Sequence, residues 1–279
     1  IAGSPARYLE AGFKYLAVSE RLDREDGIFY RLMNGLWINA GEANTECCIR
    51  SGRFQGLMFY QNPANSFGWV LDQIDVMKSP GIQSELTGKR LYREDVVQIY
   101  DKVSVDGADW YMIGVDEWVE QRKVRQFHVN PNPPNGVDNN RWIEINLYEQ
   151  TLGIYENGRL VFAALIASGV DPFYTRPGLF QIYEKLDKTN MSGSFEVDRS
   201  DYYYLEDVPW TLYYDEARAL HGAYWRTYFG YPQSHGCVNL SIGDAKVVFD
   251  WANVGDWVYV WDPSGETPED PALYTAGGA

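Results

Sequence analysis

The stretch Val129 to Asn140, VNPNPPNGVDNN, places three prolines and five asparagines in twelve positions. Proline has no backbone N–H to give and fixes its own φ, so neither a helix nor a central strand survives such a run. The spacing predicts a linker over 129–140. It divides the 279 residues into an N-terminal part and a somewhat longer C-terminal part, each of ordinary domain size.

Charge narrows the partners. Lys and Arg number 24 against 39 Asp and Glu, a net charge of −15. Phosphate backbones and anionic membrane surfaces repel such a chain, so no nucleic acid partner is expected. The longest apolar run, Val161 to Ala167, falls far short of the ~20 residues of a membrane helix, so no membrane span is expected either. Nothing at Ile1 resembles a signal peptide. Ten Trp, 21 Tyr and 12 Phe favour pleated, half-buried surfaces, which points to a mostly β protein. The three cysteines, Cys47, Cys48 and Cys237, are too few and too odd for a disulfide framework. Cys47 and Cys48 are adjacent, which disfavours a bridge between them, and they read as small buried apolar residues.

Short hairpins dominate the pattern. Phe29 to Leu32 is followed by Trp37-Ile38, and Trp110 to Ile113 by Trp118-Val119, with Asn34-Gly35 and Gly114 in the turns. The Tyr-to-Trp spacing is the same in both, from Tyr30 to Trp37 and from Tyr111 to Trp118. A strand is predicted before each hairpin, Lys14 to Ser19 and Val96 to Tyr100. Past the linker, Trp142 to Leu147 alternates like a half-buried strand. Gln150 to Tyr155 and Arg159 to Ile166 form a hairpin through Asn157-Gly158. Gly178 to Lys185 and Trp257 to Trp261 are further strands. Ser241, with Asp244 three positions on, is a capping-box start for a helix whose stripe is Ala245, Val248, Phe249 and Ala252. The segment from Pro263 onward is expected to be a loosely ordered tail.

The chemistry concentrates at one place. Of the three histidines, His128, His221 and His235, two fall close to Cys237, in His221-Gly222 and in Ser234-His235-Gly236-Cys237-Val238-Asn239. A thiol attacks carbonyls as its thiolate, and a nearby imidazole both takes the proton and stabilises the anion. Gly236 lets the backbone turn sharply, so that successive N–H groups can face an oxyanion. Cys237, His235 and His221 are also possible zinc ligands, and metal analysis separates the two chemistries.

The Ser-His-Gly-Cys-Val-Asn run, with His-Gly sixteen residues before the cysteine (237 − 221 = 16), resembles the active-site signature of YkuD-type L,D-transpeptidases. The resemblance covers about Arg141 to Pro263. The family commonly has Thr-Pro-x-Gly ahead of a strand, and here Thr175-Arg176-Pro177-Gly178 displaces the proline by one. The hairpin pattern of the N-terminal part resembles bacterial SH3-like modules.

The resemblance implies a YkuD-like β-sandwich catalytic domain at 141–263 with one short helix after the active-site loop. Small SH3-like β-barrel modules at 1–65 and 66–128 precede the linker 129–140, and a tail, 264–279, follows. It implies a peptidoglycan L,D-transpeptidase. Cys237 is then the nucleophile, His221 the general base and later acid, and the Gly222 carbonyl the orienter of the imidazole. Backbone N–H groups of His235, Gly236 and Cys237 line an oxyanion hole. Trp225 lies near substrate, and Ser234 and Asn239 brace the loop at the substrate side. Tyr202, Tyr203, Tyr204, Trp210, Tyr213 and Tyr214 are candidates for a flap, half of them turned into the core by strand alternation. The implied partners are peptidoglycan stem peptides as donor and acceptor, with carbapenem-type β-lactams as covalent inhibitors. No cofactor and no metal are expected. The implied roles are cell wall biogenesis and cell shape, and the implied location is the cell envelope, secreted or anchored. An L,D-carboxypeptidase and an inactive wall-binding adaptor are the alternatives.

Overall fold

The strand Arg141–Asn146 alternates Ile143 and Ile145 with Trp142, Glu144 and Asn146, and such alternation predicts one face in water. The computed structural model, which describes residues 13–40, 54–194 and 202–274, covers both faces. Ile143 and Ile145 enter a core with Leu152, Ile154, Val258 and Val260. Trp142, on the other face, stacks on Tyr155 at 4.7 Å between ring centroids. Their cluster takes in Phe67, Trp69 and Phe127 from the N-terminal half. The half-buried expectation fails because a neighbouring unit packs on the face that alternation leaves for solvent.

This strand sits inside a six-stranded sheet ordered Gly178–Gln181, Trp257–Trp261, Arg141–Asn146, Thr151–Glu156, Arg159–Leu165 and Leu57–Met58. The hairpin at Asn157-Gly158 forms as the sequence predicts, with both turn residues at positive φ (53° and 74°). A second, five-stranded sheet holds Phe13–Tyr15, Glu184–Gly193, Tyr203–Asp215, Arg218–Gly222 and Val238–Leu240. The two sheets enclose one core, in which Leu212, Leu220, Val238 and Leu240 meet the isoleucines of the first. The result is a mostly β sandwich with one α-helix among the described residues, Ile242–Trp251. No helix among them is long and apolar enough to cross a membrane.

That helix starts where the sequence places it. Ser241 caps it, its hydroxyl accepting from the Asp244 N–H at 3.1 Å. Asp244 does not return the bond as a capping box would. Its Oδ1 accepts instead from the backbone N–H groups of Gln55 (3.0 Å) and Gly56 (2.8 Å), steering the chain into the edge strand Leu57–Met58.

Residues 66–127 form two small sheets around Val70, Val76, Val97, Ile99, Tyr111, Ile113, Val119 and Val124. Both hairpins of the repeated pattern are present, pairing Tyr30 with Ile38 and Tyr111 with Val119. The strands before them differ from expectation. Lys14 to Ser19 is broken in two: Phe13–Tyr15 joins the five-stranded sheet beside Tyr203, and Val18–Arg24 pairs with Gly27–Leu32. Val96–Ile99 pairs with Ser66–Val70, and the hairpin's neighbour is Asp101–Val105. Two pieces of the segment 1–65, Phe13–Tyr15 and Leu57–Met58, therefore lie in the sheets of the C-terminal domain. The segment after Pro263 is not loose throughout. Pro271–Tyr274 makes a 3₁₀ turn, Tyr274 is buried, and its carbonyl accepts from buried Arg218 at 2.7 Å. A buried guanidinium needs every acceptor it can reach, and the Tyr274 carbonyl supplies one. Cys47 and Cys48 lie outside the described residues.

Candidate active site

Register brings the sequence-predicted residues together. Arg218–Gly222 and Val238–Leu240 run parallel, with Leu220 opposite Val238 and His221 opposite Asn239. Side chains alternate along strands, so Leu220, Val238 and Leu240 fill the core while His221 and Asn239 share the opposite face. Cys237 immediately precedes its strand and packs with Ala219 and Tyr213 on that same side. The cysteine is buried, and its thiol lies 3.8 Å from the Ala217 carbonyl oxygen.

His221 is 2% exposed. Its Nδ1 lies 3.3 Å from the Gly222 carbonyl oxygen and its Nε2 3.1 Å from Asn239 Nδ2. Burial pushes its pKa down to about 4, with the Gly222 bond opposing and the Arg226 charge adding to the fall. The resting imidazole is therefore neutral, not the imidazolium partner of a thiolate. Asn239, expected at the substrate side, is 2% exposed and touches the His221 ring instead. Arg226, which sequence reasoning missed, donates from Nε to Asn239 Oδ1 at 2.6 Å and from Nη1 to Gln233 Oε1 at 3.2 Å. No motif marks it; only the fold returns residue 226 to 239.

The loop that presents Cys237 is tied down atom by atom. The Ser234 hydroxyl donates to the Cys237 carbonyl and accepts from the Gly236 N–H at 3.1 Å. This corrects one expectation, because the Gly236 N–H is spent inside the loop rather than aimed at an oxyanion. Gly236 stands at φ 119°, a conformation open to glycine. Thr175, from the run in which proline is displaced, donates from Oγ1 to the Gly236 carbonyl at 2.8 Å and accepts from the Gly169 N–H at 2.9 Å. The Ser234 and Asn239 backbones bond to Ser168 and Ala167 at 2.9 Å.

Rings cover the site. Tyr15, Tyr203, Tyr213, Tyr224 and Trp225 pack on the cluster that contains Cys237. Trp225 lies 5.6 Å from the His221 ring. The His235 ring stacks on Tyr203 at 5.7 Å and meets Phe173 edge-on at 5.1 Å, a packing role for the side chain. Among the flap candidates, Tyr203 and Tyr213 face the cysteine cluster, Tyr214 is buried, and Trp210 packs on Phe249 of the helix. Tyr15, from the N-terminal end, was not foreseeable, since only strand pairing brings it here. Among the described residues no group of three or more His, Cys, Asp or Glu is gathered to hold a metal ion.

Residues 140–260 match the YkuD family model, described as the L,D-transpeptidase catalytic domain. No curated protein matches the chain. A cysteine-to-serine mutant of the Enterococcus faecium L,D-transpeptidase is 23% identical over 44% of this chain and 50% of its own, with a TM-score of 0.40. The catalytic domain of an L,D-transpeptidase from that organism, acylated by ertapenem, is 24% identical over 45% of this chain and all (100%) of its own, TM-score 0.39. An L,D-transpeptidase from Mycobacterium smegmatis is 15% identical over 90% of this chain and 95% of its own, TM-score 0.42. The chain spans about half the length of the first of these relatives.

Proposed function

We propose, on the premise that residues 140–260 are a YkuD L,D-transpeptidase catalytic domain, that this chain cross-links peptidoglycan stem peptides by cysteine acyl transfer. The observation that carries the proposal is the shared face of His221, Asn239 and Cys237, set by the register of two parallel strands. Cys237 Sγ attacks the carbonyl carbon of the third stem residue while its proton passes to His221, whose Nδ1–H is held by the Gly222 carbonyl. The main-chain N–H groups of His235 and Cys237 are the donors for the oxyanion that forms. The tetrahedral adduct collapses to a thioester, and the leaving terminal D-alanine takes the proton from His221. An amine of a second stem then attacks the thioester, gives its surplus proton to His221, and leaves as the 3→3 cross-linked product with the thiol restored. No cofactor enters these steps.

Two further readings accompany this one. Carbapenem-type β-lactams acylate Cys237, because a strained lactam carbonyl presents the same electrophile to the same thiol. The substrate places the enzyme outside the cytoplasm, in the cell envelope.

The test is incubation with a disaccharide-tetrapeptide read by mass spectrometry. A dimer lacking one D-alanine is expected from the wild type and none from Cys237→Ala. Monomer that has merely lost D-alanine identifies an L,D-carboxypeptidase. Cross-linking by Cys237→Ala overturns the nucleophile.

A further inference from the structure

Arginine has five N–H donors and no acceptor. The Asn239 atom 2.6 Å from Arg226 Nε must therefore be the carbonyl oxygen, which turns the amide NH₂ toward His221. An NH₂ at 3.1 Å from Nε2 requires a lone pair there, so the ring proton sits on Nδ1, against the Gly222 carbonyl at 3.3 Å. Rotating the Asn239 amide by half a turn would present its oxygen to a protonated Nε2 and stabilise an imidazolium. It would also set NH₂ against guanidinium, donor against donor. Arg226 blocks that rotation.

We propose that Arg226 is a positioning residue for the acyl-transfer reaction: through Asn239 it fixes His221 as the neutral Nδ1–H tautomer and so keeps Cys237 protonated until an acyl donor arrives. This deepens the function proposed above and rests on it. The step it governs is one proton transfer, from Sγ to Nε2, in which the S–H bond and the Asn239 N–H···Nε2 bond are given up and a new N–H forms. Other ionisable groups border the site: His235 two residues before Cys237, Tyr213 on the adjacent strand, the Asp215–Arg218 pair flanking Ala217, whose carbonyl faces the thiol, and Tyr15 and Tyr224 in the cover. Arg226 is the one whose charge opposes protonation of His221. Arg226 is itself half-buried, where its charge is poorly screened.

Alkylation of Cys237 by iodoacetamide in the whole protein, followed by intact mass across pH, tests this without any peptide substrate. Arg226→Gln frees the amide to turn, and thiolate then forms at the expense of neutral imidazole. The expected result is roughly tenfold faster alkylation near pH 7, a one-unit equivalent, with the excess over wild type vanishing at high pH, where every thiol is ionised. Arg226→Lys, which keeps one donor to Asn239, restores most of the wild-type profile. A merely loosened loop would raise the rate by one factor at all pH values, and that outcome overturns the proposal, as does a superimposable profile. The tautomer is read independently of any Arg226 variant from ¹⁵N chemical shifts of the His221 ring in the wild type. A protonated Nε2 at neutral pH overturns the proposal. Failure of the tetrapeptide assay beside a pH-selective alkylation change leaves Arg226 in this role and sinks the peptidoglycan reading alone.

Discussion

The floor of the site and its cover are built on different principles. The floor, Ser234 to Asn239 against residues 167–169 and the strand Arg218–Gly222, is a chain of hydrogen bonds between buried atoms. The cover, made by Tyr15, Tyr203, Tyr213, Tyr224 and Trp225, is held by ring contacts and edge pairing. Removing one partner in the floor strands a buried polar atom at a cost of about 1–3 kcal/mol. Removing a ring from the cover forfeits a contact of about 0.5–1.5 kcal/mol and some area. The floor requires particular atoms, whereas the cover requires area. Variants on the two sides should therefore differ in kind as well as in size.

The largest effect expected is at Gly236. A Cβ at φ 119° is strained by about 1–3 kcal/mol, and relief would shift the Ser234 and Thr175 bonds that aim Cys237. A displacement near 1 Å costs on the order of a hundredfold in rate. Gly236→Ala should accordingly fold, melt at lower temperature, and lose at least that factor in tetrapeptide turnover. An Ala variant as active as wild type would remove the floor's claim to need these atoms.

The floor should also write itself into the pH dependence of stability. In the folded chain His221 takes its proton only near pH 4, against 6.5 when unfolded, so the unfolded chain binds more protons between these values. Stability is whole above pH 6.5 and falls as pH drops toward 4, by about 3 kcal/mol relative to His221→Gln. Glu144 works in the other direction. Burial lifts its carboxyl to about 7 from 4.5, so the folded chain holds the extra proton and loses stability as pH rises through that interval. Between pH 4.5 and 6.5 the two slopes oppose each other. Denaturant melts across pH should show Glu144→Gln exposing the His221 slope and His221→Gln exposing the Glu144 slope. Parallel curves for both variants would mean that neither group is buried as described.

The sequence made the floor legible and the cover only partly so, for a physical reason. Residues that carry chemistry on a loop are close in sequence, so Ser234, Gly236, Cys237 and Asn239 stand together in one motif, with His221 at a fixed offset. The Ser241 cap and the Asn157-Gly158 turn are local for the same reason. Arg226, Thr175 and Tyr15 reach the site only through the tertiary fold. The burial of both faces of Arg141–Asn146 was hidden likewise, since the rings that cover Trp142 come from residues 67, 69 and 127. Alternation reports the sheet a strand belongs to and is silent on what docks against it.

The smallest effect is expected at Tyr15, the part of the cover supplied from the other end of the chain. Its ring lies 5.7 Å from that of Tyr224 and 6.3 Å from that of Trp225. Its backbone pairs with Leu205 through bonds that a side-chain change leaves in place. Tyr15→Ala therefore keeps the strand and opens a gap above a thiol that is 4% exposed. Alkylation of Cys237 should quicken by less than about tenfold and in the same proportion at every pH, because access changes while the proton balance at His221 does not. Turnover should show a shift of a few-fold in KM with kcat nearly unchanged, the signature of lost uniform binding. Should Tyr15→Ala instead lose kcat as severely as Gly236→Ala, the ring would be holding the reacting groups themselves, and the division between an atom-specific floor and an area-only cover would fail at this residue.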